Sequence, residues 1–587
     1  MSTSPESTRL RPSPRLLLFA STLVTLACAL ALLATSPGLP MTWDEGNAIW
    51  RSEAVQRWAE LLLAGNRDGR QLDPWSEDGI AEHWRYTTQI EGHPALYGIV
   101  IAAGRWVSSA WLGPLDSSRF GPILLFSLAA GVMFHRLVRE YSTAVALAAV
   151  AALMLLPRLF AHAHFASFDG PLTSCWILAW AAFAPARESR RGAVLFGIAL
   201  GMTLSSKATG WFAPAPFLAW VLLHRDRAGA RALALAVPVA LVTFFLLNPP
   251  LWHHPIQGWI TFFQRNLNRG EFNISTQFFG RMYNLDHPLP WYNTLVWTGI
   301  TVPTGILLLT GWGILVVLRR WRDDRAGTLL ALCGLVLLVV RALPWAPPHD
   351  GVRLFLPSFP FLAALAGVGS GALLVGRAGK GRGVRDEGRG VRGEGREKAG
   401  ALDPHSSPLT PHPSPLLLAT LLLLYAGSAS SLFWYAPQWL SYYNLAIGGL
   451  PGATALGMEP TYYWDGLDRS VWDWLERNTA PGEKVRFAAP SSENLLLMER
   501  WGVLAVQFRP DAPGRYRWYV VQNRPSAWGP ADRLLIAHFR PAYSKTIRPG
   551  GWGPWRLDVP LVAVYSYEQY LWATRGLTGI TRTSMIP

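Results

Sequence analysis

The chain has 587 residues, of which 50% are hydrophobic and only 16% are charged. Nearly uncharged runs of roughly 15 to 24 residues recur from residue 16 to residue 434, which excludes an ordinary soluble protein and predicts a polytopic integral membrane protein. The net charge of +15 resides in short basic clusters between these runs. Because membrane topology requires such clusters, we expect no nucleic-acid partner.

The N-terminal segment combines Arg9, Arg11 and Arg15 with an apolar stretch over 16–34. This stretch is longer than the hydrophobic part of a typical signal peptide, and the sequence from Thr35 to Pro40 is a poor cleavage site. We therefore predict a cytoplasmic tail over 1–15 and an uncleaved first transmembrane helix.

The apolar runs predict about eleven transmembrane helices, within a range of roughly 11 to 13. We expect them at 16–34, 121–138, 143–157, 170–184, 192–206, 210–223, 232–247, 294–318, 328–343, 354–375 and 415–434. The strongly basic turns between them then all fall on the cytoplasmic side, as the positive-inside rule demands. The segment 94–111 is interrupted by Arg105 and rich in Trp, which favours a helix lying on the outer surface. A crossing there would add one or two spans.

The composition changes twice towards the C-terminus. Residues 376–414 are rich in Gly, Arg, Ser and Pro, which predicts a disordered basic cytoplasmic linker before the last transmembrane helix. From 435 to 587, patterns typical of helices at 468–478, 491–501 and 530–538 alternate with patterns typical of strands at 484–488, 517–521 and 561–565. This alternation predicts a small extracytoplasmic α/β domain.

With this topology, polar side chains collect at the outer ends of the helices. Ionisable groups are costly near a bilayer, so such a gathering predicts a functional site. Its members are Asp44, Glu45, Glu91, His93, His162, His164, Asp169, Lys207, Asn248, His253, His254, His349, Asp350 and Arg353.

The acidic pair Asp44-Glu45 directly follows the first outer turn. One interpretation is that it caps an interfacial helix that begins near Asn47. The functional interpretation is a general base, in which one carboxylate accepts a proton from an attacking hydroxyl or amine and its neighbour holds the geometry or a metal.

Two other groups of residues leave alternatives open. His162, His164 and Asp169 are candidate metal ligands, although their spacing favours hydrogen-bonded residues that line a cavity. Arg353 either extends to the interface as a snorkelling side chain or binds a lipid phosphate, and Lys207 favours the same phosphate role.

Five further stretches accompany the acidic pair in a fixed order on the outer side. They are 91–97 (EGHPALY), 162–171 (HAHFASFDGP), 201–207 (GMTLSSK), 248–252 (NPPLW) and 349–357 (HDGVRLFLP). Together they resemble the GT-C membrane glycosyltransferases, in particular glycosyltransferase family 39, which includes the protein O-mannosyltransferases and the lipid A aminoarabinose transferases. The resemblance extends along most of the membrane region and implies a GT-C transmembrane catalytic domain over 16–375 with a large first outer loop at 35–120.

The resemblance also implies the chemistry. The family transfers a sugar from a polyprenyl phosphate to an acceptor on the outer side of the membrane, with inversion and without a sugar nucleotide at the site. Carried over to this sequence, Asp44 is the catalytic base, Glu45 its neighbour and Asp169 the second acid. The donor phosphate is expected at His93, Lys207 and Arg353. The remaining polar residues are expected to line the cavity; these are Glu91, His162, His164, His253, His349 and Asp350.

Several points stay open at the level of the sequence. The sequence shows none of the inserted carbohydrate-recognition repeats of eukaryotic protein mannosyltransferases. The acceptor is therefore left open among a protein, a lipid and a glycan. No cofactor is assigned, a divalent metal is left open, and no residue is assigned as its ligand. We expect a bacterial inner (plasma) membrane protein with a cytoplasmic N-terminus and an extracytoplasmic C-terminus. The competing hypotheses are a lipid-linked sugar transporter or flippase and a non-catalytic envelope scaffold.

Overall fold

A computed structural model describes residues 12–64, 72–84, 92–267, 274–348, 350–375, 414–461, 463–547 and 558–583. The predicted linker at 376–414 lies almost entirely outside these residues, as do most of the N-terminal tail, Glu91 and His349. The described part of the chain is mostly helical.

The described residues before the C-terminal region form a series of α-helices. They are α1 (Pro14–Thr35), α2 (Glu45–Ala64), α3 (Glu77–Trp84), α4 (Leu96–Ser108), α5 (Pro114–Glu140), α6 (Thr143–Met154), α7 (Pro157–His162), α8 (Asp169–Glu188), α9 (Arg190–Leu204), α10 (Pro214–His224), α11 (Arg227–Leu246), α12 (Pro255–Leu267), α13 (Asn293–Thr301), α14 (Thr304–Arg319), α15 (Arg325–Ala342), α16 (Phe359–Val375) and α17 (Pro415–Tyr435). A short hairpin of β1 (Thr276–Phe278) and β2 (Arg281–Tyr283) lies between α12 and α13.

Six helical segments of the described chain are long and apolar enough to cross a membrane. They are Pro14–Gly38, Pro114–Glu140, Arg227–Leu246, Arg325–Ala342, Gly351–Leu374 and Pro415–Tyr435. Three shorter apolar helices accompany them, at Leu96–Ser108, Thr143–Met154 and Thr304–Arg319. The length and composition of these helices confirm the prediction of a helical integral membrane protein. The total of eleven spans stays a prediction.

The predicted and observed helices differ most in their continuity at two places. The segment 294–318, predicted as one helix, is divided into α13 and α14 at Val302-Pro303, because proline has no N–H to continue the helical hydrogen bonds. The segment predicted from 354 begins instead as a 3₁₀ turn over Gly351–Ser358, with Pro357 inside it, before α16. Arg353 therefore lies in an irregular turn and not inside a regular helix.

The segment 94–111 forms α4, which packs against α2 and α5. Its side chains Tyr97 and Ile101 are fully buried, whereas Trp106 and Val107 are exposed. One face therefore contacts the protein and the other faces outward.

The C-terminal region contains a four-stranded mixed sheet. Its strands are β3 (Glu483–Phe487), β4 (Arg515–Gln522), β5 (Tyr543–Ile547) and β6 (Val559–Ser566), in the order β3-β4-β6-β5. β3 and β4 are parallel, and the other two pairs are antiparallel. The helices of this region are α18 (Gly449–Ala455), α19 (Arg469–Asn478), α20 (Ser492–Arg500), α21 (Pro530–His538) and α22 (Tyr567–Thr583).

The three predicted strands and three predicted helices of this region coincide with β3, β4, β6, α19, α20 and α21. β5 was not predicted, because Tyr-Ser-Lys-Thr-Ile at 543–547 is short and mostly polar. Its pairing with β6 supplies the stabilisation that its composition lacks.

Candidate active site

A cavity of about 460 Å³ lies where one set of helix ends, those predicted to face the outer side, meets the C-terminal region. It is lined by side chains from α2 and the turn before it, from the turns before α4, α8 and α16, from the segments that follow α9 and α12, and from the C-terminal region. The lining residues are Trp43, Asp44, Asn47, Ala48, Arg51, His93, Phe168, Lys207, Ile274, Pro347, Asp350, Arg353, Leu354, Tyr463, Trp464 and Arg524.

Arg353 is the centre of the charged network in this cavity. Its Nε donates to Asp169 at 2.7 Å and its Nη1 donates to Asp350 at 2.6 Å. Its Nη2 donates to Asp44. The planar guanidinium presents donors in three directions, so one side chain holds three carboxylates that are far apart in the sequence.

Lys207 provides a second cation beside Arg353. It follows α9 in the sequence, its Nζ donates to Asp169 at 2.6 Å, and it lies over the Phe168 ring at 4.6 Å from the centroid. Burial, together with the charge of Arg353, lowers the pKa of Lys207 to about 8, although Asp169 opposes this shift. Asp169 itself is not in the cavity wall; it is buried behind the two cations and fixes both of them.

Asp44 precedes the first residue of α2, but its carboxylate does not act as a helix cap. Its Oδ2 accepts hydrogen bonds from Arg353 and from the hydroxyl of Tyr463. Burial raises the pKa of Tyr463 well above its ordinary value, so the hydroxyl stays protonated and acts as the donor. The Asp44 side chain is 22% exposed, whereas those of Asp169 and Asp350 are 1% and 9% exposed. Of the three carboxylates around Arg353, Asp44 is therefore the most accessible to a ligand.

Glu45 points away from the cavity. Its carboxylate accepts two hydrogen bonds from Arg119 of α5, both at 2.8 Å, and both side chains are fully buried. It also accepts the backbone N–H of Thr42 and of Ala166. The adjacent acids thus occupy different environments, one in the cavity wall and one inside the protein.

The cavity does not include three of the residues expected to line it. His162 is fully buried and lies against Phe165 and Tyr463, and burial lowers its pKa to about 3, which keeps the ring neutral. His164 is bonded to the Phe160 carbonyl and the Thr35 hydroxyl. His253 lines a separate cleft with His254 and Glu77.

These differences follow from local geometry. His162 and His164 lie where α7 ends and a buried turn begins, so their rings face packed side chains. His253 lies in the turn before α12, where its ring contacts the Trp75 carbonyl at 2.9 Å. Asp350, His93, Lys207 and Arg353 do line the cavity as expected. Glu91 and His349 lie outside the described residues.

The geometry does not support the metal interpretation of the stretch 162–169. Among the residues that the structure describes, no group of three or more His, Cys, Asp or Glu side chains is arranged to hold a metal ion. Both ring nitrogens of His164 contact protein groups, and Asp169 is held by Lys207 and Arg353.

Sequence reasoning missed the contribution of the C-terminal region to the cavity. Tyr463 and Trp464 come from the stretch Glu459-Pro-Thr-Tyr-Tyr-Trp-Asp465, and Arg524 follows β4. Arg524 contacts Asp350 at 3.2 Å and Glu459 at 3.7 Å, and it lies 4.7 Å from the centroid of Trp464. The only signal in the sequence was the cluster of aromatic and acidic residues at 459–465.

A comparison with known protein families agrees with the resemblance drawn from the sequence. Residues 93–253 match the family described as dolichyl-phosphate-mannose-protein mannosyltransferase. No curated protein sequence matches the chain.

Two solved structures share low similarity with the chain. The crystal structure of ArnT from Cupriavidus metallidurans bound to undecaprenyl phosphate is 15% identical, with 93% of this chain and 98% of that chain covered and a TM-score of 0.45. The structure of the oligosaccharyltransferase AglB from Archaeoglobus fulgidus, with an inhibitory peptide and a dolichol-phosphate, is 11% identical, with coverages of 86% and 69% and a TM-score of 0.44.

The family match contains His93, Asp169 and Lys207, and Asp44 and Arg353 lie outside it. Over residues 93–253, it confirms the resemblance to the GT-C membrane glycosyltransferases that was drawn from the sequence.

Proposed function

We propose that the protein is an inverting glycosyltransferase that moves a sugar from a polyprenyl phosphate to a hydroxyl or amine of an extracytoplasmic acceptor. The observation that carries this proposal is the convergence of a partly exposed carboxylate, Asp44, with buried cations in one cavity. The family match over 93–253 supports the same reaction class.

The cations suit the phosphate of the donor. Four cationic side chains line the cavity, against two carboxylates; the cations are Arg51, Lys207, Arg353 and Arg524. Preorganised cations in a partly buried site stabilise the charge that develops on a leaving phosphate. Lys207 and Arg353 lie on either side of Asp169, and we assign the phosphate to these two, with His93 stacked on Phe168 beside them at 4.5 Å.

Asp44 suits the role of the base. Its bonds to Arg353 and Tyr463 both use Oδ2, and within the described residues this leaves Oδ1 for the substrate. The acceptor oxygen or nitrogen attacks the anomeric carbon while the bond from that carbon to the phosphate oxygen breaks. The electron pair leaves with the polyprenyl phosphate, and the acceptor proton passes to Oδ1. Attack opposite the leaving group inverts the anomeric centre.

An apolar groove next to the cavity supports a lipid donor. Asn47 and Arg51 line the cavity, and Val55 and Ala59 line a groove of about 250 Å³. These four residues of α2 are spaced four apart, so they share one face of the helix. The groove also contains the indole rings of Trp58, Trp84, Trp106 and Trp252. A lipid whose phosphate binds near Arg353 would have an apolar path for its isoprenoid chain.

The test is sugar transfer by the purified protein. Polyprenyl-phosphate sugars with a labelled sugar are incubated with the protein in lipid nanodiscs, with an envelope fraction from a strain that lacks the gene as the source of acceptor. We expect label to pass to the acceptor, and Asp44→Asn to lower this transfer by about 10²–10⁴-fold, as loss of a general base does.

The matched control is Asp116→Asn. Asp116 also lies near the outer end of a helix, where it accepts a hydrogen bond from Ser36 at 2.7 Å, but it does not line the cavity. Transfer that is equal in wild type and Asp44→Asn contradicts the proposal. In sealed proteoliposomes, movement of the labelled lipid from one leaflet to the other without transfer would instead identify a flippase.

A further inference from the structure

The turn 42–46, which contains Asp44, is held from two sides. On the side of the transmembrane helices, Glu45 is bound to Arg119 of α5. On the other side, the turn contacts α20 and the stretch before α19, both of which belong to the C-terminal region. The catalytic carboxylate of the proposed function therefore lies between two parts of the fold.

Asn494 in the first turn of α20 makes the contacts on the C-terminal side. Its Oδ1 accepts the backbone N–H of Gly46 at 2.8 Å, and its Nδ2 donates to the backbone carbonyl of Thr42 at 2.8 Å. One amide group thus joins the backbone on both sides of Asp44. A buried amide that uses its donor and its acceptor on one turn fixes the geometry of that turn.

Gly46 allows this close approach. A Cβ atom at this position would lie 2.3 Å from Oδ1 and 2.6 Å from the backbone nitrogen of Asn494. These distances are too short for any side chain, so the turn and α20 are in direct backbone contact.

Tyr463 makes a second contact to the same turn. Its hydroxyl donates to Asp44, and its backbone carbonyl accepts the N–H of Trp43 at 3.3 Å. The next residue, Trp464, has φ of 61°, which is uncommon for a bulky side chain, and residues in this conformation concentrate at functional sites. The rings of Trp43 and Trp464 are 5.0 Å apart.

We propose that Asn494 and Tyr463 are positioning residues for Asp44, and that the C-terminal region is therefore a part of the catalytic unit. This inference rests on the proposed function, in which Asp44 is the base. Both residues act on the position of the carboxylate, and neither is a catalytic residue. A displacement of about 1 Å at a reacting group lowers a rate by about 10²-fold, so loss of these contacts acts on turnover.

The first test is Asn494→Ala in the full chain. We expect kcat for sugar transfer to fall by roughly 10- to 100-fold, because the base moves out of line. The KM for the polyprenyl-phosphate sugar is expected to stay within about twofold, because Lys207 and Arg353 belong to other elements and remain in place. Tyr463→Phe, which keeps the ring beside Arg353 and removes only the hydroxyl, is expected to lower kcat in the same way.

The matched control is Asn478→Ala. Asn478 is also an asparagine of the C-terminal region, but its side chain donates to the Trp474 carbonyl of its own helix, α19, and is exposed. We expect its kcat to equal that of the wild type.

A double variant separates positioning from general damage. If Asn494 acts through Asp44, then Asn494→Ala has no further effect on the residual rate of Asp44→Asn. A further fall by the same factor as in the wild type overturns the proposal, because Asn494 would then act independently of the base.

Hydrogen exchange gives a readout that does not depend on activity. In Asn494→Ala the amides of 42–48 are expected to exchange faster than in the wild type, since the Gly46 N–H loses its acceptor, while those of 120–135 in α5 stay unchanged. If the amides of 42–48 exchange at the same rate in Asn494→Ala and in the wild type, the contact between Asn494 and this turn is contradicted. An active wild type with an unchanged Asn494→Ala overturns the positioning role alone, whereas an inactive wild type overturns the proposed function and this role with it.

Discussion

The adjacent acids Asp44 and Glu45 are expected to respond to amide substitution in opposite ways. Glu45→Gln replaces a carboxylate that accepts hydrogen bonds on both oxygens. Oε1 accepts from Arg119 at 2.8 Å and from Ala166 at 3.0 Å, and Oε2 accepts from Arg119 at 2.8 Å and from Thr42 at 2.9 Å. Whichever way the new amide is turned, its NH₂ group faces donors.

The cost of this change follows from burial. Arg119 and Glu45 both have no exposed side-chain surface, and Glu45 is the one acid paired with Arg119 among the described residues. Glu45→Gln therefore removes the counter-charge of a guanidinium inside the protein. Breaking a buried ion pair in this way costs about 3–5 kcal/mol. We therefore expect a clearly lower midpoint of thermal unfolding for Glu45→Gln in detergent, measured by intrinsic tryptophan fluorescence.

Asp44→Asn provides the comparison for this prediction. Its partners Arg353 and Tyr463 can still donate to the amide oxygen, and Arg353 keeps Asp169 and Asp350. We expect an unfolding midpoint close to that of the wild type and a loss of transfer. A Glu45→Gln protein with the wild-type midpoint and no transfer would refute the reasoning, because Glu45 would then take part in the chemistry.

Three further predictions concern the cavity. Because the pKa of Lys207 is lowered to about 8, the side chain loses its charge as the pH rises through that value. We therefore expect the KM for the donor to rise above pH 8. Lys207→Arg is expected to remove this rise, because the guanidinium group stays charged. Arg353 uses three separate nitrogens for its three carboxylates, and Arg353→Lys replaces them with a single nitrogen that does not span the same positions. We therefore expect kcat/KM to fall by about 10²-fold; a value near that of the wild type would contradict the network. Gly46→Ala forces α20 away from the turn, so we expect a lower kcat and faster exchange at 42–48, whereas wild-type values for both would show that the close contact is not required.

Much of the candidate site follows from the cost of charge near a bilayer. Asp44, Lys207, Asp350 and Arg353 each lie at an end of an apolar run that the sequence predicts to face the outer side, and all four line the cavity. His93 belongs to the same group of polar residues and also lines the cavity. Position at the ends of the apolar runs thus predicts which polar residues come together in one cavity.

The same reasoning does not predict which way a side chain turns. Glu45 follows Asp44 directly, yet it is bound to Arg119, because consecutive residues at the start of a helix point in different directions. His162 and His164 have the same outer location as Asp169, but their rings face packed aromatic side chains. A local pattern contains no information on such partners.

The sequence by itself predicted a mostly helical membrane protein and most of the strands and helices of the C-terminal region, and it singled out Asp44 as the candidate base of the proposed function. These properties depend on hydrophobic periodicity and on charge, which are local. Only the tertiary structure decided that Tyr463, which is 419 positions from Asp44, and Asn494, which is 448 positions from Gly46, contact the same turn. Contacts at such separation depend on how the C-terminal region packs on the helix ends, and that packing is a property of the folded chain as a whole.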